Sequence, residues 1–184
     1  YVLAVCDVRV ILNRDLVRIV DRDEVSEFLV AGERCGLTRD ALLQVAIASD
    51  DFAIANQGQT SLESVSVAKE IIGMAKAAGL TAQVTIGASF GCPFAGETSE
   101  DHVVAMTAML AEAGPVEVAI ADTIGVGDPA KVARLVSRVK QAINPLPVRV
   151  HFHNARGQGL ANVWAAVCEG ASVIDASLGG LGGC

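Results

Sequence analysis

The sequence predicts a parallel α/β fold, built either as an open doubly wound sheet or as part of a (β/α)8 barrel, on three observations. From residue 43 onward, short apolar runs alternate with longer amphipathic segments, the pattern of successive βαβ units. The short runs read as apolar on both faces, as strands covered on each side are. No run is followed by the G-x-G-x-x-G turn of a dinucleotide-binding domain, and that absence favours the barrel.

In chain order, residues 1–42 open with Val2–Val5 and Val8–Leu12, read as one strand interrupted at Cys6-Asp7. A charged helix or loop over Arg14–Glu27 and a second strand over Phe28–Ala31 follow. The runs Leu43–Ala48, Val84–Ala88, Val116–Ala121, Val148–His153 and Ser172–Ala176 are short, largely β-branched and bounded by turn residues, which predicts buried strands. Between them lie four sets at helical spacing. These are Ala68, Ile71, Ile72 and Ala75; Val103, Met106 and Leu110; Val132, Leu135, Val136, Val139 and Ile143; and Leu160, Val163, Trp164 and Val167. Each set predicts one helix burying that face. Thr60 with Glu63 has capping-box spacing, Asp128-Pro129 is an N-cap followed by proline, and Gly79, Gly114 and Gly170 stand where helices should stop.

Composition narrows the function. Of 184 residues 52% are apolar and 19% charged, enough for one buried core and too little charge for a disordered linker. With 14 basic against 21 acidic residues and a net charge of −7, a nucleic-acid surface is excluded. No stretch of about 18 uninterrupted apolar residues exists, so neither a membrane span nor a signal-peptide core is expected here. The five cysteines, at 6, 35, 92, 168 and 184, form no C-x-x-C pair, which points to reduced thiols and a cytoplasmic compartment. Tyr1 in place of Met, and Cys184 directly after a glycine run, lead us to expect one stretch of a longer barrel of about 250 residues.

In such folds the reactive side chains sit at the carboxyl ends of strands. Those positions are Ser49-Asp50-Asp51, Gly91-Cys92-Pro93, Asp122-Thr123, His151-Phe152-His153-Asn154, and Asp175 with the segment to Cys184. A strand's period of two puts His151 and His153 on one face with Cα atoms about 6–7 Å apart, placed to converge on one metal ion or simply to pack. Asp122 reads as a proton acceptor or ligand holder, or as an Asx turn or cap. Asp50 and Asp51 read as loop or cap residues, and His102 as part of a solvated helix start. Cys184 follows a glycine-rich loop that could carry its thiol over a site or bring bare N–H groups to a phosphate, although no Lys or Thr follows to make a P-loop.

At these residues the chain resembles the 3-hydroxy-3-methylglutaryl-CoA lyases. The motifs are Phe90-Gly91-Cys92-Pro93-Phe94-Ala95-Gly96-Glu97, Asp122-Thr123-Ile124-Gly125-Val126-Gly127, Val150-His151-Phe152-His153-Asn154, Gly159-Leu160-Ala161-Asn162 and Gly179-Gly180-Leu181-Gly182-Gly183-Cys184. They occur in the family's order over residues 43–184. The glycine loop ending in Cys184, and the Ala155-Arg156 that follows Asn154, favour the lyase branch over the related Claisen-type synthases.

The resemblance implies a (β/α)8 barrel and retro-Claisen cleavage of 3-hydroxy-3-methylglutaryl-CoA to acetoacetate and acetyl-CoA; the alternatives are another 3-hydroxyacyl-CoA or a non-catalytic remnant. It also implies a divalent cation, Mg²⁺ or Mn²⁺, held by His151 and His153, with His151 sharing in proton transfer, Cys184 as acid/base and Asp122 in the site. An acyl-CoA substrate and a homodimer of the whole protein follow, as does the mitochondrial matrix for a eukaryotic form carrying a transit peptide. The family's Arg-Asp pair and its Asn beyond the glycine loop have no counterpart here, and Arg14-Asp15 falls in the wrong place to supply the pair. This stretch alone is therefore expected to bind metal poorly and to turn over negligibly. Asn154 stands where the family commonly has Asp.

Overall fold

The computed structural model describes residues 42–175. Their order is β1 (Leu42–Ile47), α1 (Asp50–Gln57), α2 (Ser61–Ala77), β2 (Ala82–Gly87), α3 (Glu100–Ala111), β3 (Glu117–Asp122), α4 (Pro129–Ile143), β4 (Val148–Phe152), α5 (Gly159–Cys168) and β5 (Val173–Ile174). The five strands form one parallel sheet in the order β1-β2-β3-β4-β5. A doubly wound sheet reverses its order at a switch point, whereas a barrel adds each strand beside the last. The unbroken order is that of a barrel arc. The readings made on residues 1–41 and on Cys184 lie outside the described residues.

The helix ends follow the local chemistry. Thr60 Oγ1 accepts from the Glu63 N–H at 3.3 Å, while Glu63 Oε2 accepts from the Thr60 N–H at 2.7 Å, closing the capping box at the start of α2. Asp128 Oδ1 accepts from the N–H groups of Ala130 and Lys131, with Pro129 opening α4. At the far ends Gly79 and Gly170 take φ of 74° and 91°. The residues after them, Leu80 and Ala171, donate back to Ala75 and Ala166 at 2.9 Å, satisfying carbonyls the helices leave open.

Helix α1 falls where a loop or cap was expected. It buries only Ala53, so no apolar stripe marked it. The expected cap role of Asp50 is met on the next helix: its Oδ1 accepts from the N–H and hydroxyl of Ser61, the first residue of α2, at 2.8 and 2.6 Å. Those two bonds hold the Asp50 carboxyl below its ordinary pKa. His102 is tied in as well, with Nε2 3.1 Å from Ser61 Oγ, rather than simply solvated.

The core lies between the sheet's outer face and the helices. Val84, Ile86, Val118, Ile120, Val148 and Val150 meet Ile71 and Ile72 of α2, Met106 and Leu110 of α3, and Leu135 and Val139 of α4, all nearly inaccessible to solvent. Burying a side chain of this size is worth about 1.5–3 kcal/mol. The predicted stripes of α2, α3 and α4 are thus the buried ones.

The prediction for α5 is corrected. Leu160 and Trp164 are 86% and 71% exposed, and Gly159, Asn162 and Ala166 form the buried side. Small residues let α5 approach closely: Asn162 Nδ2 donates to the Gly127 carbonyl at 3.0 Å, and a Cβ on Gly159 would come within 3.0 Å of Asn154 Oδ1. The strands are also not apolar on both faces. On the inner face Gln83, Glu117 and Arg149 are buried.

Candidate active site

In β4 the segment Val148-Arg149-Val150-His151-Phe152-His153 alternates strictly. The apolar residues at 148 and 150 belong to the outer core, so Arg149, His151 and His153 share the inner face. Parallel register extends that face sideways, aligning Thr85, Ala119, Arg149 and Val173 in one row, with Gln83 and Glu117 below.

Arg149 organises the floor of the site. Its Nη1 reaches both oxygens of Asp175, at 3.0 and 2.8 Å, and its Nη2 donates to Thr85 Oγ1 at 2.9 Å. Its Nε lies 3.0 Å from Glu117 Oε1, without the alignment of a hydrogen bond. Asp175 in turn places Oδ2 3.4 Å from His151 Nδ1. Burial works against charge on Asp175, but the bond from His151 and the field and bonds of Arg149 outweigh it and hold this carboxyl below its usual range.

Beyond this floor, at the carboxyl end of β4, His151 Nε2 and His153 Nε2 lie 3.3 Å apart, with ring planes at 64°. Burial and the neighbouring His151 lower the pKa of His153, against a smaller opposing pull from Asp122, which favours the neutral ring a metal ion requires. Two nitrogens bound to one cation at about 2.1 Å and a near-right angle stand about 3 Å apart, and the observed spacing fits. Among the described residues no third His, Cys, Asp or Glu joins them as a metal-binding group.

Asp122 lies elsewhere. In register with Phe152, it faces the outer side of the sheet, is fully buried, and accepts from the N–H groups of Val126 and Gly127 at 3.0 and 2.9 Å. This is an Asx-type clasp on the loop after β3. The loop abuts the histidine segment at Gly125, whose φ is 65° and where a Cβ would fall 2.7 Å from that of Ala155 and 3.4 Å from that of His153. Asn154 has its own local role, accepting from the Gly159 N–H at 2.8 Å at the start of α5.

The loops after β1 and β2 are joined by Ser49, whose hydroxyl donates to Cys92 Sγ at 3.0 Å. Phe94 and Ala95 N–H groups also point at that sulfur, both at 3.3 Å. Burial opposes the thiolate, yet the Ser49 hydroxyl and these two N–H groups together bring the Cys92 pKa below its ordinary value.

The structure thus brings together the two predicted histidines, sets Asp122 on the opposite face of the sheet, and adds Arg149, Glu117 and Thr85, which the sequence reading missed. Period-two polarity in Gln83-Val84-Thr85 and Val148-Arg149-Val150-His151 was the available signal.

A 140-residue stretch is 39% identical to the (R)-citramalyl-CoA lyase of Chloroflexus aurantiacus, covering 76% of this chain and 44% of that protein. The mitochondrial hydroxymethylglutaryl-CoA lyase of Bos taurus is 37% identical over 137 residues, 74% of this chain and 42% of its own. Among solved structures, an HMG-CoA lyase from Acinetobacter baumannii in complex with coenzyme A and 3-methylmalate superposes with a TM-score of 0.76 at 35% identity, covering 86% of this chain and 51% of that one. The chain spans about half the length of the relatives it matches. Residues 7–184 match the HMGL-like family, and with the barrel order of its strands and these relatives, the chain belongs to that family.

Proposed function

We propose that the whole protein is a divalent-cation-dependent carbon–carbon lyase that cleaves 3-hydroxy-3-methylglutaryl-CoA to acetoacetate and acetyl-CoA. The observation that carries this reading is the pair of imidazoles 3.3 Å apart at the carboxyl end of β4, the end of a barrel where chemistry is done. A Mg²⁺ or Mn²⁺ ion held by His151 and His153 would supply polarisation of the substrate's hydroxyl and carbonyl oxygens. The chain's own groups handle protons. The 3-hydroxyl proton passes to a base, with His151 as relay, and the bond between C2 and C3 breaks toward the thioester. The resulting enolate takes a proton at C2 from the Cys184 thiol, which the family resemblance assigns to that role. Asp122 contributes through the loop it clasps beside His153.

The likeness to a citramalyl-CoA lyase supports a second reading, in which the same cleavage acts on a substrate one methylene shorter and yields pyruvate. One methylene is worth about 10–200-fold in kcat/KM. Both substrates are acyl-CoA thioesters; a dimeric assembly and a cytoplasmic compartment belong to the same proposal.

The test is acetyl-CoA release by the full-length protein from each thioester with Mg²⁺ or Mn²⁺. Faster release from 3-hydroxy-3-methylglutaryl-CoA is expected. A preference for citramalyl-CoA selects the second reading, and no release from folded protein with either removes both.

A further inference from the structure

We propose that Asp175, clamped by Arg149, is a positioning residue that fixes the His151 ring in one tautomer, with Nδ1–H toward the carboxylate and the Nε2 lone pair toward His153 Nε2. For its role at a cation this rests on the function proposed above; the tautomer itself does not.

Arg149 carries its guanidinium on the inner face of the sheet, with the side chain 5% exposed. Thr85 holds its Nη2 and Glu117 flanks its Nε, so the fork cannot turn. Its Nη1 straddles both oxygens of Asp175, at 3.0 and 2.8 Å, and the carboxylate is locked in turn. An ionised carboxylate only accepts. The nitrogen it faces at 3.4 Å, His151 Nδ1, therefore carries the hydrogen, and in the neutral ring Nε2 carries none and acts as an acceptor. Carboxylates behind ligating histidines set tautomer and ring orientation in this way, and their loss typically costs about 10–100-fold in metal affinity. Here a buried arginine two residues before the histidine fixes the orienting carboxylate from behind.

The clamp makes Asp175→Asn informative. Arg149 has donors only, so it claims the asparagine oxygen and turns the NH₂ toward His151 Nδ1. The ring must then accept at Nδ1 and place its hydrogen on Nε2, where it blocks a cation. Arg149→Lys keeps the charge but loses the fork, so the carboxylate is free to turn and the tautomers mix.

The experiment is ¹⁵N NMR of histidine-labelled full-length protein without metal, together with Mn²⁺ titration followed by electron paramagnetic resonance. The His151 signals are assigned as those missing from the spectrum of a His151→Gln variant of the same protein. The wild type is expected to show Nδ1–H at His151 and Asp175→Asn to show Nε2–H, with its Mn²⁺ dissociation constant raised about 10–100-fold. Should Asp175→Asn fail to fold by circular dichroism, Arg149→Lys carries the same readouts, with mixed tautomers expected. A wild type bearing Nε2–H at His151, or a folded variant whose tautomer is unchanged, overturns the proposal. A wild type that takes up no Mn²⁺ while showing the expected tautomer and its loss in the variant upholds the positioning and overturns the cation reading.

Discussion

The two faces of the sheet are one residue apart in sequence and opposite in chemistry. Val84, Ile86, Val118, Ile120, Val148 and Val150 turn outward into an apolar core shared with α2, α3 and α4. Gln83, Thr85, Glu117, Arg149 and His151 turn inward, onto a face held by directional bonds and ion pairs. The outer face shares its stability among many interchangeable side chains, each making a modest contribution. On the inner face Thr85, Glu117 and Asp175 all converge on Arg149, so removing that one cation leaves two carboxylates without it. That difference explains how one sheet serves as scaffold and as site: the outward side fixes where β4 ends, and the inward side fixes what stands there.

The two faces should differ most at Arg149. Replacing it with Met leaves Glu117 and Asp175 buried without their cation, and a loss of about 3–5 kcal/mol is expected in urea unfolding. A loss under about 1 kcal/mol, with native circular dichroism, would show the inner network to be as forgiving as the outer face. Asp122 is an intermediate case, a polar group on the apolar side. Asp122→Ala orphans the N–H groups of Val126 and Gly127, which costs about 1–3 kcal/mol for each that is kept from water. Faster amide exchange confined to residues 123–127 is expected alongside, because the clasp holds only that loop. On the outer face Ile120→Val removes one methylene from a fully buried side chain and should cost about 0.5–1.5 kcal/mol by the same urea measurement.

The two faces were unequally legible in the sequence, for the same physical reason. Apolar runs and stripes such as Val132, Leu135, Val136 and Val139 announce an outer core, since burial of apolar surface is non-directional and depends on spacing alone. The inner network depends on partners far along the chain: Arg149 meets Thr85, Glu117 and Asp175 on three other strands or their ends. Only the topology brings these together. His151 and His153 were readable because both stand at the end of one strand, two residues apart. Asp122 was readable as a strand end, but the face it takes depends on register with Phe152, which spacing alone does not supply. Helix α1 left no stripe to read, and α5 left one that points outward.

That outward stripe gives the smallest expected effect and the sharpest limit on the comparison. Leu160 and Trp164 follow helical spacing as closely as the buried sets do, yet the buried side of α5 is Gly159, Asn162 and Ala166. If the fold draws on α5 only through that small-residue side, Trp164→Ser should change the unfolding free energy measured in urea by no more than about 0.5 kcal/mol, as for other exposed positions. Replacing Ala166 with Leu, on the opposite side of the same helix, forces a larger group into a site with no exposed surface and should cost about 1–3 kcal/mol. Measured together, the two substitutions ask whether spacing or contact decides which face of a helix is structural. A loss of several kcal/mol at Trp164 would mean that the stripe is covered in the folded protein and that the outer core extends past α5.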